Sequence, residues 1–545
     1  MTSLEMHPTR WGDPARAAAL PEAARGLVEL VFPVVDHTVA DDAPATLPDS
    51  PLTGEIVDAL AAVVGPEHVL TDDASRRSRT RGKSTPDLLR ARAGDLTDAP
   101  CAVVRPADHD EVQALLEVAT RHRVAVVPFG GGTSVVGGLA ATWEGYAGVV
   151  SLDLVRMKRL LAVDPVSMIA TLEPGLRGPE AEALLAEHGL TLGHFPQSFE
   201  YATIGGFAAT RSAGQSSSGY GRFDALVAGL VVATPVGPVT LGHAPASAAG
   251  PDLRQVFLGS EGAFGVITAV TVRVRPLPTA FVYEGWRWPS FDTGTEALRT
   301  LAQSQLQPTV LRLSDENETA LNLADPDSIG GSGEGSSGGC LMIVGFEGTS
   351  KAVEARRTAV TAVLSGLGGE PAGEEPGRRW AAGRYDAPYL RDSMLDVGVL
   401  VETLETATHW SRLRHAYDAV SAALSAALGE AALVLCHVSH VYETGASLYF
   451  TVAAPQGDDA LGLWSDAKTA ALEAIVDSDA TITHHHAVGR DHLPWLEDEI
   501  GVVGVEVLRA VKAAVDPEGI LNPGVLVPPR SLRRSTPAGV SGPPR

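Results

Sequence analysis

Three consecutive histidines, in the run Thr483-His484-His485-His486-Ala487-Val488-Gly489, are the densest store of acid–base chemistry in the chain. Imidazole titrates near neutral pH, so one of the triplet is read as a general base. A metal site is the competing reading, with Asp479, Asp491 or His492 completing the ligand set. In a strand, however, only His484 and His486 share a face, and no HExxH spacing is present, so no metal is expected. A hydrogen-bonded surface cluster is the plain alternative. Two arginines stand beside apolar residues, Arg312 in Val310-Leu311-Arg312-Leu313-Ser314 and Arg391 in Tyr389-Leu390-Arg391-Asp392. A buried Arg312 needs an anionic partner, either a substrate phosphate or Asp315. For Arg391 the plain reading is a salt bridge to its neighbour Asp392. Tyr449, between Leu448 and Phe450, reads as core from its setting alone.

The second store of chemistry is glycine-rich. Val127-Pro128-Phe129-Gly130-Gly131-Gly132-Thr133-Ser134 follows a valine-rich strand, and Gly137-Gly138 come soon after. Successive residues without Cβ let backbone N–H groups close around an anion such as a pyrophosphate, with hydroxyl donors from Thr133 and Ser134. Three further segments of this kind follow: Pro196-Gln197-Ser198 to Thr203 with Gly205-Gly206, Thr210 to Gly214, and Gly259 to Ile267. Four such loops in one strand-rich region point to one extended phosphate-bearing ligand crossed by backbone at several points. No GxGxxG opens a helix after a first strand, so the Rossmann fingerprint is absent.

Placing these residues requires strands and helices of definite order. Ala102 to Val104, Asp108 to His122 and Val124 to Val127 read as β–α–β, and Gly148 to Leu152 and Ser167 to Leu172 as further strands. Gly178 to His188 reads as helix, as do Pro14 to Val35 and Gly54 to Val64. After the strand Val266 to Val272, Pro276 and Pro278 break the pattern. The expected division is a helical segment over 1–95, a ligand-binding domain over 96–278, a second domain over 279–480, a returning segment over 481–526 and a disordered tail over 527–545. Residues 330–339 read as a flexible glycine- and serine-rich insertion.

Composition excludes several functions. With 42 basic and 66 acidic residues the net charge is −24, which repels nucleic acid, so an anionic ligand needs a locally basic pocket. Cys101, Cys340 and Cys436 are too scattered for a disulfide framework or a CxxC site, which suits the cytoplasm. No signal-peptide pattern opens the chain, and no apolar run approaches the ~20 residues of a membrane span. Shallow contact with a membrane surface is still compatible with such a chain, and a homodimer is expected.

The order of the glycine loop, the TIGGFAATRSAG run from Thr203 to Gly214 and the GSEGAFGVIT run from Gly259 to Thr268 resembles the FAD-binding domain of vanillyl-alcohol-oxidase-type flavoproteins. That resemblance implies an α+β fold, a two-part FAD-binding domain with a separate α+β cap. It assigns the cofactor to Pro128, Gly130, Gly131, Gly132, Thr133, Ser134, Gln197, Ser198, Thr203, Gly205, Gly206, Thr210, Ser212, Ala213, Glu261, Gly265, Val266 and Ile267. Thr133 stands where several relatives carry a flavin-linking histidine, so non-covalent FAD is implied. In the second half, Tyr389 to Asp392, Glu402 to Ala407, Ser447 to Phe450 and the histidine triplet run in an order similar to that of the alkyldihydroxyacetonephosphate synthases. This likeness implies that acyl-dihydroxyacetone phosphate exchanges its acyl group for a fatty alcohol without net redox change. It places Tyr449, Arg391 and the triplet at the reaction centre, favours His485 and His486 as base, and makes Arg391 a contact to substrate or flavin, while Arg312 keeps its reading as a candidate substrate-phosphate contact. The segment Val515 to Gly524 instead resembles FAD-dependent 2-hydroxyacid dehydrogenases of the D-lactate or glycolate kind, which is the alternative reading. A purely scaffolding role would leave the triplet and both arginines without a task.

Overall fold

The computed structural model describes residues 5–16, 19–20, 22–37, 47–323 and 339–529. The tail expected to be disordered lies, from residue 530 on, outside the described residues, as does the glycine- and serine-rich insertion except Gly339.

The first sheet has four strands in the order Val69–Leu70, Ala102–Val104, Gly148–Asp153, Val124–Phe129. Its last three strands run parallel, which demands a crossover, and the helix His109–His122 supplies one. Asp108 caps that helix by accepting from Glu111 N at 3.0 Å, and Arg123 ends it in the left-handed conformation. Val124 to Val127 are buried on both faces, as a strand inside a parallel sheet must be. A second, five-stranded antiparallel sheet follows in the order Leu160–Asp164, Ile169–Leu172, Val266–Arg273, Val227–Thr234, Gly237–Leu241.

The third sheet is antiparallel and seven-stranded, in the order Glu370–Gly373, Ala280–Trp288, Cys340–Gly348, Val310–Ser314, Leu433–Val438, Gly445–Pro455, Val399–His409. Side chains alternate across a sheet, and here the alternation divides two tasks. Leu311, Leu313, Met342, Val344, Cys436, Leu448, Phe450 and Val452 are buried in a core shared with the helices Phe291–Gln303, Ser350–Gly366, Leu413–Leu428 and Ala460–Asp477. Their neighbours Arg312, Leu341, Ile343, Val401, Thr403, Leu435, His437, Tyr449 and Thr451 line a cavity on the opposite face.

Two features differ from expectation. Pro14 to Val35 is not one helix but a short turn, Pro14–Arg16, and a helix, Glu22–Val31. The histidine triplet lies on a loop rather than a strand, so the shared-face argument does not apply to it. After that loop the chain returns to the first sheet, where Leu521 bridges Val126 and Asn522 N donates to the Val126 carbonyl at 2.9 Å.

Candidate functional site

The cavity measures about 710 Å³ and runs from the glycine loop to the polar face of the seven-stranded sheet. That volume suits a large cofactor with a substrate beside it. The loop is shaped by what it cannot hold. A Cβ on Gly130 would collide with the Thr203 hydroxyl and one on Gly131 with the Tyr201 carbonyl. Gly132 has φ +68°, and its Cβ would come within 2.6 Å of the Phe129 ring. Thr203 caps the following short helix by accepting from Gly206 N at 3.2 Å.

Every residue assigned to the cofactor from sequence, Pro128 through Ile267, lines this cavity. Gln197 adds a buried amide Nε2 with no hydrogen-bond partner among the described residues. A long, glycine-floored cavity with an unspent donor fits FAD. None of the three cysteines lines the cavity. Glu261 combines lining with a tether. Its carboxylate accepts from Val488 N (3.1 Å) and Gly489 N (2.7 Å), and burial raises it to about 7. Asn522 Nδ2 donates to the Glu261 carbonyl at 2.6 Å and to that of Gly138 at 3.0 Å. Asp516 in turn accepts from Ile520 N and Leu521 N at 3.1 and 2.8 Å. The C-terminal segment that resembles dehydrogenases is therefore a clasp holding chain return to glycine loop, and carries no redox assignment of its own.

At the other end of the cavity, Glu405 organises the histidine loop. Glu405 lies directly across the sheet from Tyr449, on the same face. Its Oε1 accepts from the Thr483 hydroxyl (2.7 Å), His485 N (3.1 Å) and His486 N (2.9 Å), while Oε2 accepts from His484 N (2.5 Å). Burial would raise this carboxyl, but charge on the imidazoles, when they carry it, and the Thr483 hydroxyl hold it well below the usual range. With the imidazoles neutral, Thr483 and the three backbone N–H donors keep it ionised. The triplet thus gets its shape from one carboxylate.

The three histidines are not equivalent. His485 and His486 line the cavity, whereas His484 sits behind them and does not reach it. His484 Nε2 meets the Tyr442 hydroxyl at 2.6 Å, its Nδ1 meets His485 Nδ1 at 2.9 Å, and its carbonyl accepts from Arg222 at 3.0 Å. In a neutral pair only one of those Nδ1 atoms carries a proton. Burial lowers all three imidazoles, His486 to about 3, although Glu405 opposes the shift. Uncharged imidazoles are the form a base requires.

Tyr449 stands in a column of rings. Its ring stacks on His437 at 4.8 Å and 21°, lies near-parallel to His485 at 6.0 Å and meets His486 edge-on at 5.7 Å. Burial raises its hydroxyl to about 12 despite a hydrogen bond with Thr403, so the phenol keeps its proton. The reading as plain core from Leu448 and Phe450 is corrected by alternation, since those neighbours are the ones facing the helices.

Arg312 has an anionic partner, and it is Glu318 rather than Asp315. The guanidinium also lies 3.0 and 3.1 Å from the His437 ring nitrogens, and His437 Nδ1 lies 3.0 Å from Glu318. Burial would raise Glu318, but His437 and Arg312 hold it at about 2. Asp315 is occupied elsewhere, accepting from the Tyr417 hydroxyl (3.0 Å) and Cys436 N (2.9 Å). Arg391 does bridge Asp392, at 3.1 Å, and gives its other nitrogen to the Lys83 carbonyl at 2.6 Å while lining the cavity.

Though no metal set was expected, His440, His484 and His485 each bring one ring nitrogen within 4.8 Å of the others. Asp479 is paired with Arg412 and Asp491 with Lys468, and His492 Nδ1 meets the Ala487 carbonyl at 2.7 Å. Sequence reasoning also assigned no chemistry to the first ~95 residues. Trp11 nonetheless lines the cavity and donates its backbone N–H to Asp392 at 2.5 Å, while Lys83 lies under Arg391.

Two family models match the chain, an FAD binding domain over residues 100–241 and the C-terminal domain of FAD linked oxidases over 277–526. The alkyldihydroxyacetonephosphate synthase of Trypanosoma brucei brucei is 34% identical over 520 residues, covering 91% of this chain and 84% of the relative. That of Dictyostelium discoideum is 34% identical, with coverages of 87% and 81%. A mitochondrial D-lactate dehydrogenase [cytochrome] of Arabidopsis thaliana is 29% identical, covering 79% and 74%. A solved alkyldihydroxyacetonephosphate synthase superposes with TM-score 0.80 at 30% identity, over 95% of this chain and 99% of that one. A p-cresol methylhydroxylase shares the fold at TM-score 0.66 and 17% identity, over 86% of this chain and 96% of that one.

Proposed function

The chain belongs to the alkyldihydroxyacetonephosphate synthase family of FAD-dependent enzymes, and from that premise we propose that it makes an ether lipid precursor. Its substrates are acyl-dihydroxyacetone phosphate and a long-chain alcohol, and its products alkyl-dihydroxyacetone phosphate and a fatty acid. The bond from the three-carbon unit to the acyloxy oxygen breaks, the fatty acid leaving with both its oxygens, a bond from the same carbon to the alcohol oxygen forms, and no electrons leave the system. The observation that carries this reading is the constellation of Tyr449, His485, His486 and Arg391 around one cavity continuous with the glycine loop.

When bound, FAD would be held by the glycine loop and the segments at Gln197–Thr203, Thr210–Ala213 and Glu261–Ile267, and would supply a ring able to form and release a bond at the substrate carbon. The remaining work falls to side chains. His485, with Nδ1 engaged by His484, has Nε2 available to take the alcohol proton, and His486 serves the same end of the cavity. Tyr449, protonated at any working pH, donates to a substrate oxygen. Leu341, Ile343, Val401 and Leu435 give the cavity apolar walls that exclude water and accept an alkyl chain. Among the described residues no helix is long and apolar enough to cross a membrane.

Incubating the FAD-loaded chain anaerobically with acyl-dihydroxyacetone phosphate and hexadecanol tests the proposal. Fatty acid and ether product should appear in equal amounts; fatty acid alone would mean hydrolysis and refute it.

A further inference from the structure

The proposed substrate carries a phosphate, yet the two arginines expected to meet the substrate are already compensated. Arg312 is held by Glu318 and His437, and Arg391 by Asp392 and the Lys83 carbonyl. In a chain of net charge −24, a phosphate entering this cavity requires a cation that no carboxylate holds. Arg384 is such a cation. It follows the helix Glu375–Gly383, is half-buried and lines the cavity, and among the described residues no carboxylate pairs with it. Its guanidinium rests on the rings of Phe195 and Tyr385, 4.9 and 5.0 Å from their centroids. Such stacking fixes orientation without neutralising charge.

The backbone beneath it is fixed as well. Gln215 Nε2 donates to the Arg384 carbonyl at 2.9 Å and, more weakly, to Gln197 Oε1 at 3.4 Å. With its oxygen engaged, Gln197 keeps the buried and unpartnered Nε2 donor described above. Arg379 lines the same wall nearer solvent, 3.9 Å from Glu375.

We propose that Arg384 binds the phosphate of the three-carbon substrate, with Gln197 as a neutral donor and Arg379 as an outer cation. The inference rests on the ether-lipid reading for the identity of its ligand, but the anion subsite is testable without turnover. Arg384→Gln and Arg384→Lys are compared with wild type as full-length, FAD-loaded protein. Binding of dihydroxyacetone phosphate is measured by isothermal titration, with uncharged dihydroxyacetone as control. Arg384→Gln should weaken dihydroxyacetone phosphate at least ~10-fold, Arg384→Lys less, and neither should change the response to dihydroxyacetone. In turnover the loss should fall on KM for the phosphorylated substrate and not on that for the alcohol. Flavin content equal to wild type verifies the fold; if the Gln variant does not load flavin, the Lys variant and its expected intermediate affinity decide. Wild-type affinity in a flavin-loaded variant, or no binding by wild type, overturns the subsite. Ether product from wild type together with an unchanged Arg384→Gln sinks this inference and spares the function. Weakened binding without any ether product from wild type does the reverse.

Discussion

Glu405→Gln changes one atom in the chain's most heavily used carboxylate. Three donors converge on Oε1 and one on Oε2. A glutamine can satisfy the first three by placing its oxygen there, but its NH₂ then faces the His484 N–H, donor against donor. That loses one charge-assisted hydrogen bond and strands a buried N–H, and removes the charge that the other three donors meet. Charge-assisted bonds contribute about 1.5–3 kcal/mol and a stranded donor costs about 1–3, so the variant should lose about 2.5–6 kcal/mol of stability. Urea unfolding of the flavin-loaded protein measures this directly, and hydrogen exchange reports where it falls. The amides of His484 to His486 should exchange faster while those of the first sheet do not. Since His485 and His486 take their position from this anchor, turnover should drop at least ~100-fold with flavin content unchanged. Wild-type stability and turnover in Glu405→Gln would refute the claim that one carboxylate sets the loop.

Gly131→Ala should abolish flavin loading, because its Cβ would collide with the Tyr201 carbonyl of an adjacent cofactor segment; a variant with normal flavin absorbance contradicts this. Acid precipitation should release FAD into the supernatant, as Thr133 offers no linking nitrogen, and colour retained in the pellet would count against it. Burial lowers the triplet, with His486 falling from 6.5 to about 3, so in that window the unfolded chain binds more protons than the folded one. The resulting stability is full above pH 6.5 and is lost as pH falls toward 3, so Tm should decline steadily across that range; a flat profile would disprove neutral buried imidazoles.

Much of this architecture was legible because it rests on local rules. The strand Ala102–Val104 and the helix Gly54–Val64 were readable to the residue from local pattern. The glycine segments were legible as the lining of one cavity because absent side chains declare themselves in sequence. Long-range partners were not. Nothing local distinguishes Glu318 from Asp315 as the partner of Arg312, since the choice depends on how a helix sits against the strand that bears His437. Glu405 lay in plain view within Glu402 to Ala407, yet its role needs the register that sets it opposite Tyr449. His484 parts from its two neighbours only because the loop turns it toward Tyr442. Trp11 and Lys83 entered the site from a segment to which no chemistry was assigned, by closing over it from the far end of the chain.

The central claim is that the flavin serves an exchange without net oxidation. Its most direct test is anaerobic turnover without any electron acceptor, following flavin absorbance and ether product together. Alkyl-dihydroxyacetone phosphate should appear in many-fold excess over bound flavin, with no bleaching when D-lactate or glycolate replaces the substrates. Rapid bleaching by either hydroxyacid, with no ether product, would contradict it.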